Sequence, residues 1–200
     1  MRAIGDIIIE VDGALNALDV RHVFGGALAL AYYAEPRGTI DVDVNVGIDF
    51  TLRSSLLDEL VPLGWHASGV AETDIPAAGS RLRQQGETVV LDVFFSFDAY
   101  HDDVLDNAVT KPFVFAGSRY ELPFLSAADL AVFKISFDRA KDWVDLEAMV
   151  TAGTPIDPDY VERQLVRFKG PAAYPSAARF RAMVESRTSH DDEGVQGIGP

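Results

Sequence analysis

VFGGALAL at residues 23–30 and RGTIDVDV at residues 37–44 are the two segments that decide the fold of this chain. The first places Gly25 and Gly26 between a short apolar strand and a run of good helix formers, where a phosphate could approach the backbone. The second is a strand in which Asp41 and Asp43 lie two residues apart. Because strand side chains alternate between faces, both carboxylates point the same way, about 7 Å apart. Two anions directed at one place indicate a divalent cation, and a cation beside a phosphate site suggests a nucleotide.

The composition restricts the classes of protein that this chain can belong to. Its 200 residues are 48% hydrophobic, which provides one full core and excludes general disorder. Cysteine is absent and the four histidines follow no zinc spacing, so a metal held by oxygen ligands, Mg²⁺ or Mn²⁺, is expected. The net charge of −14 argues against general binding of nucleic acid through its phosphates. With no signal peptide and no apolar run long enough to span a membrane, we expect a cytoplasmic protein.

The order of elements predicts an α+β fold, with a mixed-sheet core followed by a helical lobe. Alternating apolar residues predict strands near 21–24, 39–46, 81–83 and 88–95 and a hairpin over 111–120, whereas only helices are expected after Ser126. We therefore expect a core over residues 1–125, a helical lobe over 126–188 and a disordered tail over 189–200. Six basic residues late in the chain form either a solvated helix surface or a local basic patch: Arg163, Arg167, Lys169, Arg179, Arg181 and Arg187.

Asp92 is the third carboxylate of interest, because it interrupts the apolar strand VVLDVFF at residues 89–95. An ionised carboxylate in such a strand is costly unless it is paired or bound to a metal. One interpretation pairs Asp92 with Arg81 or Arg83 across a hairpin. The other joins it to Asp41 and Asp43 as a metal ligand that completes a second cation site and helps to deprotonate an incoming hydroxyl.

These residues resemble the nucleotidyltransferase superfamily related to DNA polymerase β. Its pattern is a hydrophobic residue with Gly-Gly, an Asp-x-Asp pair and a later acidic strand residue, here Phe24-Gly25-Gly26, Asp41-Val42-Asp43 and Asp92, with a spacer slightly longer than usual. Within it the chain resembles the AbiEii/AbiGii toxin type, which includes MenT-like toxins. The matching segments are RGTIDVD at residues 37–43, Lys134 on a later helix, and RAKDWVD at residues 139–145.

The resemblance implies a nucleotidyltransferase fold and transfer of a nucleoside monophosphate from an NTP to a tRNA or protein hydroxyl, with release of pyrophosphate. It also implies a toxin with a cognate antitoxin. Asp41, Asp43 and Asp92 would bind Mg²⁺ or Mn²⁺, and Gly25 and Gly26 the triphosphate. The further residues expected around the nucleotide are Arg37, Thr39, Lys134, Lys141, Asp142 and Asp145, with Arg83 orienting Asp92.

Each supporting residue also has a structural interpretation. Lys134, Asp138, Lys141 and Asp145 follow the spacing of one helix face, so they could form a ladder of surface ion pairs. Arg37 could pair with Asp43, and Thr39 could simply favour the strand. Two rival functions remain open: a non-catalytic module with the same fold, and a nucleotidyltransferase that acts on a small molecule such as an aminoglycoside.

Overall fold

The computed structural model describes residues 2–67 and 79–195, with side chains as far as Arg187. The chain forms two compact units. Unit 1 comprises Met1–Ala29 and Arg37–Ser126, and unit 2 comprises Leu30–Pro36 and Ala127–Pro200. The division falls after residue 126, and the short segment 30–36 goes with unit 2, which the sequence pattern does not indicate. The expected domain bounds stay predictions.

Unit 1 is built on a mixed sheet. Its elements are α1 (Ile4–Ala17), β1 (His22–Phe24), α2 (Gly26–Leu30, whose last residue falls in unit 2), β2 (Asp41–Asp49), α3 (Arg53–Leu60), β3 (His66–Ala67), β4 (Gly79–Arg83), β5 (Val90–Ser96), α4 (Ala99–Asp106), β6 (Val109–Phe115) and β7 (Ser118–Phe124). Within the described residues the strand order is β3-β4-β5-β2-β1-β7-β6. The pairs β2–β5 and β1–β7 are parallel and the others are antiparallel.

Strand β2 follows the alternation that its sequence predicts. Val42, Val44 and Val46 are at most 2% exposed and form one face of the strand in the core. Asp41 and Asp43 lie on the other face and are only half-buried. The alternation therefore puts two carboxylates on a rigid central strand while the residues between them fix it in place.

Unit 2 is helical over its described part. Its helices are α5 (Ala127–Phe137), α6 (Ala140–Thr151), α7 (Pro158–Lys169) and α8 (Tyr174–Val195), with a short 3₁₀ turn between α7 and α8. Buried side chains of these helices, such as Leu146, Val161 and Phe180, form its core. Helix α8 continues through the first part of the segment 189–200 expected to be disordered, and residues 196–200 lie outside the described residues. No helix in the described part is both long and apolar enough to cross a membrane.

Candidate functional site

The carboxylate face of β2 is the starting point of the site. Asp41 and Asp43 lie on it two residues apart, as the sequence predicts. Asn45 continues the same row but is buried, and its amide nitrogen lies against Gly25. Asn45 was missed by the sequence reasoning, although the same alternation that selects the two aspartates could have found it.

Gly26 is required where it stands because the carboxylate of Asp43 occupies the space of a side chain. A Cβ added to Gly26 would lie 1.8 Å from Asp43 Oδ2, and the backbone at Gly26 has φ +54°. The preceding Gly25 donates its backbone N–H to the carbonyl of Asp43 at 2.9 Å. The glycine pair therefore brings the backbone that opens α2 against Asp43, so that any phosphate bound there would also meet this carboxylate.

Thr39 holds the first aspartate through the backbone. Its hydroxyl accepts a hydrogen bond from the Asp41 N–H at 3.0 Å and donates one to the Asp41 carbonyl at 3.2 Å. These bonds fix the start of β2, and the nucleotide contact expected of Thr39 stays a prediction. Arg37 is exposed just before this turn, and its contact with a triphosphate stays a prediction.

Asp92 reaches the same face from the neighbouring strand. In the parallel pairing of β2 with β5, Asp43 and Asp92 are direct partners. On its other side, Asp92 lies opposite Arg81 of β4, and Arg81 Nε and Nη2 donate to its two oxygens at 2.8 and 2.7 Å. Of the two arginines considered from the sequence, Arg81 bonds to the carboxylate, whereas Arg83 lies opposite Val90. The orienting role expected of Arg83 stays a prediction.

The residues present fit a metal only in part. Among the described residues, no group of three or more Asp, Glu, His or Cys side chains is placed to hold a metal ion. Mg²⁺ in nucleotide enzymes is commonly bound through one or two carboxylates together with substrate phosphates and water. Asp41 and Asp43, half-buried on one face, fit that mode, and they would share the ion with a triphosphate.

The charged residues of unit 2 are arranged differently from the expected helix face. Asp138, with φ +56°, lies between α5 and α6, so the expected single face over Lys134 to Asp145 is wrong. Lys134 instead crosses between the two helices and donates to Asp145 Oδ2 at 2.6 Å, with side chains 5% and 4% exposed. Such a buried pair contributes to the packing of α5 on α6, because either charge alone would be strongly destabilising there.

Asp142 also has a structural partner. It accepts hydrogen bonds from the Arg139 backbone N–H and from Arg139 Nε at 3.2 and 2.6 Å, which completes the N-terminal cap of α6. Trp143 donates its indole N–H to Asp138 at 2.6 Å and so fastens the same junction. Lys141 is exposed. The nucleotide contacts expected of Lys134, Lys141, Asp142 and Asp145 stay predictions, and three of the four have partners that close the α5–α6 junction.

The fold is that of the nucleotidyltransferases. At the level of sequence, no family model and no curated protein matches the chain. Among solved structures, the antibiotic-resistance factor ANT(2'')-Ia in solution superposes with a TM-score of 0.57 at 14% identity, over 88% of this chain and 96% of that one. A crystal structure of ANT(2'')-Ia in complex with adenylyl-2''-tobramycin gives 0.51 at 15% identity, again over 88% and 96%. An antigenic nucleotidyltransferase-like protein from Paracoccidioides brasiliensis gives 0.50 at 20% identity, over 86% and 91%.

Proposed function

We propose that this chain transfers a nucleoside monophosphate from an NTP to a hydroxyl group of a small molecule. The observation that carries the proposal is the position of Asp41 and Asp43 on one face of β2, with Asp43 against the Gly25–Gly26 backbone. The fold of unit 1 supplies a rigid support for such a site. A divalent cation and a triphosphate would use both of these carboxylates.

The proposed chemistry needs a cation and two roles from the chain. A divalent ion between Asp41, Asp43 and the triphosphate would neutralise charge that develops on the phosphate oxygens. The acceptor oxygen forms a bond to the α-phosphorus, and the bond from that phosphorus to the bridging oxygen breaks with its electron pair, so pyrophosphate leaves. The proton of the acceptor hydroxyl passes to the carboxylate of Asp92, which faces the same region from β5.

Two observations favour a small molecule as the acceptor over a tRNA. First, ANT(2'')-Ia, which shares the fold, has been captured with adenylyl-2''-tobramycin. Second, the late basic residues do not form a free patch. Each of them contacts a carboxylate, a carbonyl oxygen, an amide or a ring inside unit 2: Arg163, Arg167, Lys169, Arg179, Arg181 and Arg187. With a net charge of −14, a cationic hydroxyl compound fits the chain better than a polyanion.

The toxin role, the antitoxin and a tRNA or protein acceptor rest on the sequence motif alone. The part of that motif on α5 and α6 now has structural partners in Lys134–Asp145 and Arg139–Asp142. A transfer assay with several acceptors distinguishes these functions from transfer to a small molecule and from a non-catalytic module.

The test is a transfer assay with an acceptor panel. Purified protein is incubated with each α-³²P-labelled NTP, MgCl₂ and three separate acceptor sets: aminoglycosides and other polyhydroxyl amines, total tRNA, and cell lysate protein. We expect label on a small compound, dependent on Mg²⁺ and absent from the D41N/D43N variant. D49N is the matched control, because Asp49 lies at the far end of the same strand. Label on tRNA or protein would favour the toxin role, and no label in any set would favour the non-catalytic module.

A further inference from the structure

The contact between Arg81 and Asp92 does not fit a site in which Asp92 is a ligand of a second metal ion. Both oxygens of Asp92 accept hydrogen bonds from one guanidinium, at 2.8 and 2.7 Å, in the bidentate geometry that makes arginine–carboxylate pairs strong. The pair is enclosed, with the side chains of Arg81 and Asp92 14% and 6% exposed. Breaking it would leave a buried charge without this partner, so the pair is a fixed part of the sheet.

The sheet itself sets this geometry. Arg81 and Asp92 are register partners in the antiparallel β4–β5 pair, and Asp92 and Asp43 are register partners in the parallel β5–β2 pair. Neighbouring strands lie about 4.8 Å apart, so Arg81, Asp92 and Asp43 form one row across three strands. A positive charge therefore already lies at one end of the row and Asp43 lies at the other, with Asp41 two residues before it on β2.

We infer that the guanidinium of Arg81 takes the position of a second divalent cation, so that the chain binds one metal ion through Asp41 and Asp43 and keeps Asp92 outside its coordination. This inference rests on the proposed function and specifies its metal site. A second dication beside Asp92 would meet the repulsion of a permanently charged guanidinium within contact distance. Arg81 neither gains nor loses a proton in the reaction and acts as a positioning residue.

The experiment counts metal ions per bound nucleotide. The protein is brought to equilibrium by dialysis against MnCl₂ with the α,β-methylene analogue of ATP, which binds but cannot be cleaved at the α-phosphate. Manganese and nucleotide retained with the protein are then measured. We expect one Mn²⁺ per nucleotide for the wild type and two for R81M, because R81M removes the guanidinium from the carboxylate next to Asp43.

Three further variants separate charge from folding. R81K keeps a cation without the bidentate geometry and should retain one Mn²⁺. R21M is a control at an exposed ion pair, because Arg21 precedes β1 and pairs with Asp106, with side chains 60% and 68% exposed. This variant should also retain one Mn²⁺ per nucleotide. D92N should leave the count at one, because Asp92 is not a ligand. D92N therefore keeps the inference testable even if R81M fails to fold, which circular dichroism would reveal.

The outcomes are distinct. Two Mn²⁺ per nucleotide in the wild type, a fall from two to one in D92N, or an unchanged count in a folded R81M would each overturn the inference while leaving the proposed function intact. A wild-type protein that retains neither nucleotide nor manganese would contradict the proposed function and the inference with it.

Discussion

Strand β2 of unit 1 and the helix pair α5–α6 of unit 2 both carry charged residues selected by the same sequence motif, but they use them in opposite ways. On β2, two like charges, Asp41 and Asp43, stand half-exposed on one face. At the α5–α6 junction, Lys134 and Asp145 are opposite charges, buried and bonded to each other. Like charges gathered on one partly exposed face point to a ligand, whereas opposite charges bonded to each other in a core point to stability.

The largest expected effect comes from the two like charges on β2, Asp41 and Asp43. D41N/D43N should reduce transfer by about 10³-fold or more, because both ligands of the proposed ion lose their charge. The thermal midpoint should stay equal or rise, since the substitution removes repulsion between like charges. Transfer rate and thermal unfolding, measured on the same preparation with D49N as control, check both parts. A folded D41N/D43N with wild-type activity would show that the active site does not lie on β2.

The next effect concerns the paired charges. K134M leaves Asp145 buried without its cation and should lower the free energy of unfolding by about 3–5 kcal/mol. R21M, which removes an exposed arginine–aspartate pair, should cost less than about 1 kcal/mol. Urea denaturation measures both. The double variant K134M/D145A, with neither charge, should recover at least half of the loss. A loss below about 1 kcal/mol in K134M would show that the pair does not stabilise unit 2.

Gly26 lies against the carboxylate face of β2, and its lack of a side chain leaves room for the carboxylate of Asp43. G26A would strain a left-handed backbone by about 1–2 kcal/mol and push Asp43 aside. G86A is the matched control, since Gly86 has φ +82° and no atom within 4 Å of an added Cβ. We expect similar losses of stability in the two variants but a loss of transfer in G26A alone, measured by the labelled-NTP assay. Equal transfer activities of G26A and G86A would show that Gly26 is not part of the active site.

The smallest effect is the response of Tyr33 in unit 2 to alkaline pH. Burial, with the nearby charge of Asp129, raises the pKa of Tyr33 to about 12 from the model-compound value of 10.0. Since the folded state keeps the proton that the unfolded state loses, stability is complete below pH 10 and falls as the pH rises towards 12. Y33F should flatten this part of a stability–pH curve, and Y174F, at a half-exposed tyrosine, should not. Identical curves for the three proteins would contradict the assignment.

The sequence predicts the site better where it depends on local periodicity than where it depends on pairing between distant strands. Alternation alone places Asp41 and Asp43 on one face of β2, and the structure confirms the strand. The turn between β4 and β5 places Arg81 and Arg83 near Asp92, but the local pattern does not distinguish which of the two arginines lies opposite Asp92. The parallel β2–β5 pair is a long-range contact, so the placement of Asp92 beside Asp43 could only be proposed.

In unit 2, the spacing of charged residues predicts a single helix face that the structure does not contain. The spacing over Lys134 to Asp145 fits one helix, yet the chain turns at Asp138, where a non-glycine residue adopts a left-handed conformation. Aspartate is one of the few residues that accept this conformation, but the sequence offers no glycine or proline there to signal it. The indole N–H of Trp143, five residues further along the chain, donates to Asp138 at the turn, and the spacing of charged residues does not reveal this side-chain contact.

The most direct test of whether the charges on β2 act in transfer and those at the α5–α6 junction act in stability compares two variants, K134M/D145A and D41N/D43N. The transfer rate per folded molecule of each is measured under single-turnover conditions with labelled NTP and Mg²⁺. Our account predicts that K134M/D145A stays within about threefold of the wild type while D41N/D43N falls by about 10³-fold or more. A folded K134M/D145A that is as inactive as D41N/D43N would contradict the account, because the buried pair would then belong to the chemistry and not to the packing of unit 2.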